Sequence, residues 1–316
     1  MISSLDIIVV NWNAGHHLRD CIQSIVATKR DGVALDRVVV VDNASVDRST
    51  EGLEGIELPL TLISNCCNRG FGAACNQGAL GSTADYLLFL NPDIRLFSDS
   101  LTGPIHAMER PENAKIGICG VQLIDEVGRV SPSCARFPDP PLLFAKVLGL
   151  DRLFPRHVRS HAMMEWDHRT SRQVDQVIGA FFLVRRSLFE HLGGFDERFF
   201  LYFEEVDFSY RAHVAGWSSY YIADARAYHR GMVSSDQVKA ARLMYVLRSR
   251  IQYGFKHFGW PAAWGIALGT LLIEPVTRLG LAVGRRSRIE MRETLEGYAK
   301  LWRAASRRAK RGTWGP

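Results

Sequence analysis

Between Ile7 and Leu90 the chain alternates two kinds of segment: short, mostly apolar runs of strand character, and stretches of helical spacing or tight turns. The runs are Ile7–Val10, Val38–Val41, Leu60–Ile63 and Tyr86–Leu90. Ile7–Val10 and Val38–Val41, unbroken and β-branched, read as strands buried on both faces, and Leu60–Ile63 and Tyr86–Leu90 read as a third and a fourth strand. His16 to Ala27 carries Leu18, Cys21, Ile22, Ile25 and Val26 at helical spacing, and Gly70 to Leu80 reads as a Gly/Ala-rich turn and helix. Ser45 or Asp47 can cap a further short helix after the second run. Strand and helix in alternation predict an α/β fold, a Rossmann-like and mostly parallel sheet with helices on both faces.

Polar residues gather where these runs end: Asn11 and Asn13, Asp42 and Asn43, Asn91 and Asp93. In an open parallel sheet that carboxyl edge is where ligands bind, because a reversal of strand order leaves a crevice there. Asp42 can accept from a nucleobase edge or a ribose hydroxyl, or it can cap the turn that follows it. The proline of Asn91-Pro92-Asp93 stops strand pairing and turns Asp93 outward. One carboxylate there suits Mg²⁺ or Mn²⁺ on a diphosphate, since such an ion takes few protein ligands. Asn68-Arg69-Gly70-Phe71-Gly72 puts two glycines at a helix start, which admits an anion close to the backbone. The turn after the first strand, Asn11 to Gly15, lacks the glycine fingerprint of dinucleotide dehydrogenases.

The later half is less regular. Pro132, Pro138, Pro140 and Pro141 mark a loop, Val174–Val184 reads as another buried strand, and Ser187–Leu192 as a short helix stopped by Gly193-Gly194. The stretch Gly193–Asp207 sets five carboxylates among aromatics. On a helix from Glu204 to Ala215, Asp207 lies four residues before Arg211, a spacing that forms ion pairs, and Glu205 points elsewhere without such a partner. A carboxyl beside apolar rings and like charges has its pKa raised and can take a proton from a hydroxyl; acids in a first helical turn also complement the helix dipole. Phe199, Phe200, Tyr202 and Trp217 read equally as the wall of a ligand pocket or as core. In Tyr228-His229-Arg230-Gly231, the imidazole can complete a metal site and Arg230 can clamp a diphosphate.

At 316 residues, 47% hydrophobic and 23% charged, the chain is globular in composition. The net charge of +6 is concentrated at the end, in Arg285, Arg286, Arg288, Arg307, Arg308 and Arg311 among others. Such an excess fits an anionic partner or a solvated helical face. Trp260 to Val283 is apolar but interrupted by Glu274, Pro275 and Arg278, which predicts an interfacial or core helix rather than a span. Beside it the basic tail fits contact with an anionic membrane, and nucleic-acid binding is not expected. Six cysteines without a CxxC pair, and no leader-like segment before Ile7, predict a cytoplasmic protein at the inner face of the membrane.

Taken in order, Val9–Asn13, Val41–Ser45, Asn68–Gly72, Leu90–Asp93, Gly193–Glu197, Phe203–Asp207 and His229 resemble glycosyltransferase family 2, in its bacterial rhamnosyltransferase-like branch. The likeness runs from about Leu5 to Ser235, and more loosely through Arg248-Ser249-Arg250 and Lys256-His257-Phe258-Gly259. It implies a GT-A fold: a donor-binding half at 1–95, an acceptor-binding and catalytic half at 96–232, and a helical, basic region at 233–316. It implies an inverting transfer from a nucleotide-diphosphate sugar, rhamnose from dTDP-rhamnose, to a glycan or lipid-linked glycan acceptor. By resemblance Asp42 holds the donor base with Asn11 and Asn13 beside it, and Asp93 is the last Asp of the DxD metal motif. Asn43, Asn68, Arg69, Gly70, Asn91 and Arg230 join the donor site, His229 helps to hold the metal, and Glu205 is the base. The chain departs from the pattern at Asn91, where the motif has Asp, and at Glu205, where Asp is usual; Asp207 remains a rival base. The alternatives are a sugar nucleotidyltransferase, which the Asn11–Gly15 loop does not favour, and a sugar-nucleotide-binding protein without turnover.

Overall fold

The computed structural model describes residues 2–154, 157–158, 161–231 and 239–310, and two compact units within them. The expected start of the helical region near 233, the end of the family likeness at Ser235, and Arg311 lie outside the described residues, as do the side chains of Arg307 and Arg308.

The first unit takes in 1–137, 162–200 and 204–234. Its strands, in chain order, are β1 (Ser3–Asn11), β2 (Val33–Asp42), β3 (Leu60–Ser64), β4 (Tyr86–Leu90), β5 (Ile94–Leu96), β6 (Ile116–Ile124), β7 (Val130–Ser131), β8 (Cys134–Ala135), β9 (Arg172–Val174), β10 (Gln176–Val177), β11 (Phe181–Arg185) and β12 (Ser218–His229). The main sheet has the order β3-β2-β1-β4-β11-β6-β12-β5, with β7 and β9 on its flanks; β8 and β10 pair apart. β3, β2, β1 and β4 are all parallel, β11 runs antiparallel to both neighbours, and β12 is parallel to β6 but antiparallel to β5. β2 and β3 lie on one side of β1 and β4 on the other, so strand order reverses at β1 and opens the crevice at its carboxyl end.

β1 shows why both faces are covered. Leu5, Ile7 and Val9 pack with Leu18, Cys21, Ile22 and Ile25 of helix α1 (His16–Val26). Ile8 and Val10 point to the opposite face, into a cluster with Ala74, Cys75 and Ala79 of helix α2 (Phe71–Ala79). The small residues of α2 let it sit close: a Cβ on Gly78 would stand 2.5 Å from Ile8 Cγ2. Burying each large side chain here stabilises the fold by about 1.5–3 kcal/mol.

Three expectations are corrected. No helix follows β2; Asp47 caps a turn instead, its Oδ1 accepting from Ser49 N at 3.1 Å. The segment is tied to the end of β1, Ser45 Oγ accepting from Asn13 N at 2.9 Å and Asp47 Oδ2 from Gly15 N at 2.7 Å. Val174–Val184 is not one strand: β9, β10 and β11 are separated by Asp175 and by Ile178-Gly179-Ala180. The proline-marked loop contains a helix at Pro140–Val147, because Asp139 accepts from Leu142 N at 2.8 Å and proline suits a first turn. The Arg186–His191 helix ends before Gly193 and Gly194, both at positive φ, and the Glu204–Val214 helix ends before Gly216.

The second unit takes in 138–161, 201–203 and 235–316 and is helical: Lys239–His257, Trp260–Leu268, a π-helical turn Gly269–Ile273, Glu274–Gly284 and Arg288–Lys310. Leu247, Tyr298 and Leu301 form its small core. Trp260–Gly284 is continuous helix, long and apolar enough by composition to cross a membrane. Its Glu274, however, is buried and ion-paired to Arg250 and, at 2.8 Å, to Arg278.

Candidate active site

At the ends of β1 and β2, Asn11 and Asp42 stand in register. Asn11 Nδ2 donates to Asp42 Oδ1 at 2.7 Å, and lies 2.8 Å from Ser49 Oγ and 3.0 Å from Ser45 Oγ. Asp42 also accepts from the Ser45 hydroxyl and from Ser45 N at 3.2 Å. Asp42 therefore does cap its turn, and with three of roughly four lone-pair directions used it keeps capacity for about one outside donor. Asn13, at φ 49°, accepts from Val46 N at 2.8 Å. Asn43 donates to Gly70 O at 3.2 Å and accepts from Asn65 at 3.0 Å. Asn68 Oδ1 takes Gly70 N at 2.9 Å, while Arg69 is exposed. Gly70 itself has φ 91°, and a Cβ there would lie 2.4 Å from Phe200 O, so the backbone approach is closed to any other residue.

The next strand end supplies the carboxylate. Asn91 N donates to Ala180 O at 3.0 Å, which closes β4 against the segment before β11. Asp93 follows, 7% exposed. Antiparallel pairing sets His229 opposite Ile94, and so brings His229 Nε2 to 3.6 Å from Asp93 Oδ1. That Nε2 is buried and has no hydrogen-bond partner. Ligands at about 2.1 Å from a divalent ion can stand up to roughly 4.2 Å apart on it, so a buried carboxylate and an orphaned imidazole nitrogen at this separation fit a cation. Asp93 and Arg230 line a cavity of about 220 Å³ with His16, His17, Asp20 and Arg95.

The acids of the Glu204–Val214 helix divide into two kinds. Asp207 is fully buried, and Arg211 Nε donates to it at 2.8 Å. The same guanidinium donates to Leu192 O at 2.7 Å and Gly194 O at 2.8 Å. It is a structural ion pair that ties the helix to the Gly193-Gly194 turn. Burial pushes the Glu204 carboxyl well above the ordinary range, with the Glu205 charge adding to it. Burial raises Glu205 too, against hydrogen bonds from the N–H groups of Glu205, Val206 and Gly179. Glu205 Oε2 is buried without a partner. Since Gly179 precedes the Ala180 that receives Asn91 N, the chain segment 179–180 bridges the Glu205 carboxylate to the Asn91-Pro92-Asp93 turn.

Sequence reasoning thus named the residues of three clusters: Asn11, Asp42 and Asn43; Asp93, His229 and Arg230; and Glu205. It missed His16, His17 and Asp20, which α1 presents to the Asp93 cavity. The signal was available, because α1 starts at the same carboxyl edge as the strand-end residues. It also missed Gly179, which no local pattern marks. Of the aromatics left open, Phe199 is fully buried core, while Trp217 packs beside a core cluster.

The sequence matches the family described as glycosyl transferase family 2 over residues 6–193. It is 30% identical over 315 residues to the N-acetylglucosaminyl-diphospho-decaprenol L-rhamnosyltransferase of Mycobacterium tuberculosis (strain CDC 1551 / Oshkosh), covering 93% of this chain and 99% of that protein. It is 28% identical to the rhamnosyltransferase WbbL of Escherichia coli (strain K12), over 54% of this chain and 61% of that one. Among solved structures, the mannosyltransferase PcManGT of Pyrobaculum calidifontis, in complex with GDP-Man and Mn²⁺, superposes with a TM-score of 0.55 at 16% identity, covering 98% and 81% of the two chains. Staphylococcus aureus TarS 1-349, in complex with UDP-GlcNAc, gives 0.53 at 14% identity over 94% and 81%. With its GT-A fold and these relatives, the chain belongs to glycosyltransferase family 2 and is a glycosyltransferase of the rhamnosyltransferase-like kind.

Proposed function

We propose that this enzyme transfers rhamnose, with inversion, from dTDP-rhamnose to a hydroxyl of a lipid-linked glycan, with Glu205 as the general base. The observation that carries the reading is the Glu205 carboxyl: raised in pKa by burial, fixed by the Gly179 N–H, and left with an unpartnered oxygen. As the acceptor oxygen attacks the anomeric carbon, its proton passes to Glu205 and the bond to the diphosphate breaks on the opposite face. Asp207 is already committed to Arg211 and holds the helix in place. Asp42, with Asn11, Asn13 and Asn43, accepts the donor's base or ribose, and Asn68, Arg69 and Gly70 form the neighbouring rim of the donor site.

Asp93 and His229, beside Asn91, would hold Mg²⁺ or Mn²⁺, which when bound supplies charge neutralisation at the leaving diphosphate. Arg230 adds hydrogen bonds to the same group. In this reading 1–95 is the donor half, 96–232 the acceptor half, and 233–316 a region that rests on anionic membrane at the cytoplasmic face. Support for the last comes from Trp260, Trp264, Leu268, Leu272 and Val276, which are exposed and spaced four apart, next to Arg285, Arg286 and Arg288. The lipid-linked substrate in the name of the mycobacterial relative supports the acceptor class. The test is transfer by Glu205→Gln at unchanged donor binding.

A further inference from the structure

We propose that His16, His17 and Asp20 form a cation site of their own on the wall of the Asp93 cavity, taking an imidazole-favouring divalent ion such as Co²⁺ or Zn²⁺ in preference to Mg²⁺. One ligand atom from each of the three lies within 4.8 Å of the other two. Bonds of about 2.0–2.2 Å to nitrogen and oxygen let ligands of one ion stand up to roughly 4.2 Å apart, so small side-chain rotations close the set. The helix imposes the arrangement. Gly15, at φ 57°, turns the chain so that α1 starts at His16. Four residues on, Asp20 then falls on the same face as His16. His17 lies beside His16 with ring centroids 4.0 Å apart and the rings tilted by 44°.

Two observations indicate that these groups face a cation. Arg230 Nη1 is 3.2 Å from His17 Nε2. A guanidinium only donates, so Nε2 is the accepting, unprotonated nitrogen and its lone pair points at a positive charge. That guanidinium is half-exposed, and its contact with Glu126 is 3.6 Å between exposed groups, a pairing that holds weakly in water. It can yield its place to an ion and turn to a diphosphate. Asp20, for its part, is half-buried, opens on the cavity, and has no hydrogen bond or ion pair among the described residues. The positive end of α1 opposes a bare cation, which makes the Asp20 carboxylate necessary to the site. Two imidazoles with one carboxylate favour borderline metals over Mg²⁺, which prefers an all-oxygen shell.

The site stands on these side chains and not on the transfer reaction. Equilibrium dialysis of the full chain against CoCl₂, followed also by the visible absorption of bound Co²⁺, tests it. The wild type is expected to hold one more equivalent of Co²⁺ than His16→Ala/His17→Ala, and Asp93→Asn to keep the imidazole-bound band. Asp20→Asn, the milder variant, is expected to weaken that equivalent at least tenfold, and excess MgCl₂ to leave it bound. Equal Co²⁺ uptake by the wild type and the double variant would overturn the proposal. So would a single equivalent that Asp93→Asn also abolishes. Loss of transfer in Asp93→Asn with the Co²⁺ band retained would bear on the reaction alone.

Discussion

Arg211 Nε sits 2.8 Å from Asp207 Oδ2 across one turn of helix, and this contact separates two acids only two residues apart. Asp207 spends its charge on the fold, whereas Glu205 keeps a buried oxygen without a partner. Removing one member of a buried pair strands the other, at a cost of about 3–5 kcal/mol. Asp207→Asn is therefore expected to lower the melting temperature by many degrees, and Glu205→Gln not to lower it. Differential scanning calorimetry of the two variants checks this.

Both Glu204 and Glu205 titrate above their unfolded-state values. Between the unfolded and folded pKa the native chain binds more protons than the unfolded one, so stability falls as pH rises through that window. Glu204→Gln removes one of the two groups. Its melting temperature is expected to decline less than the wild type's between about pH 5 and pH 8. With Glu205 as the base, the same raised pKa is expected to put the acid limb of the transfer rate above the ordinary carboxylate range, since Glu205 must be ionised to accept a proton; a pH–rate profile checks this.

Gly70 and Gly193 both have positive φ, at 91° and 71°, yet a Cβ meets Phe200 O at 2.4 Å on the first and nothing within 4 Å on the second. Gly193→Ala should cost only the left-handed backbone strain, on the order of 1 kcal/mol. Gly70→Ala adds a collision with backbone and is expected to cost more, and to displace Phe71 N from its 2.9 Å bond to Phe200 O. Chemical denaturation ranks the two.

A donor nucleotide that binds only the native state raises the melting temperature. With dTDP, the shift is expected to require Mn²⁺ or Mg²⁺, to vanish with EDTA, and to be lost in Asp93→Asn. His229→Ala should weaken it, because the orphaned Nε2 is the imidazole nitrogen nearest Asp93.

If the second unit rests on a membrane, Trp260→Ala/Trp264→Ala is expected to weaken sedimentation with vesicles rich in phosphatidylserine by at least tenfold. High salt should weaken the wild type too, since the Arg285, Arg286 and Arg288 contribution is screened.

The sheet was legible because strands buried on both faces leave unbroken apolar runs, and β1, β2 and β4 fall where those runs do. The segment after β2 misled, since Ser45 and Asp47 have the same oxygens for a turn as for a helix cap, and only Asn11 and Gly15 decide between them. Ile178–Ala180 misled as well: an apolar run gives no warning of a break that exists to meet Asn91 and Glu205. At the site, strand-end polar residues announced themselves by position. What the sequence does not carry is pairing across it, such as β12 with β5, which sets His229 against Asp93, or the Arg230 contact that reveals His17.

The central claim is that the Glu205 oxygen takes the acceptor's proton. Single-turnover transfer of rhamnose from dTDP-rhamnose to a lipid-linked acceptor by Glu205→Gln, beside dTDP-rhamnose affinity measured by calorimetry, tests it most directly. The account predicts a rate at least a hundredfold below wild type at unchanged donor affinity. Turnover by the Glu205→Gln variant at the wild-type rate would contradict it.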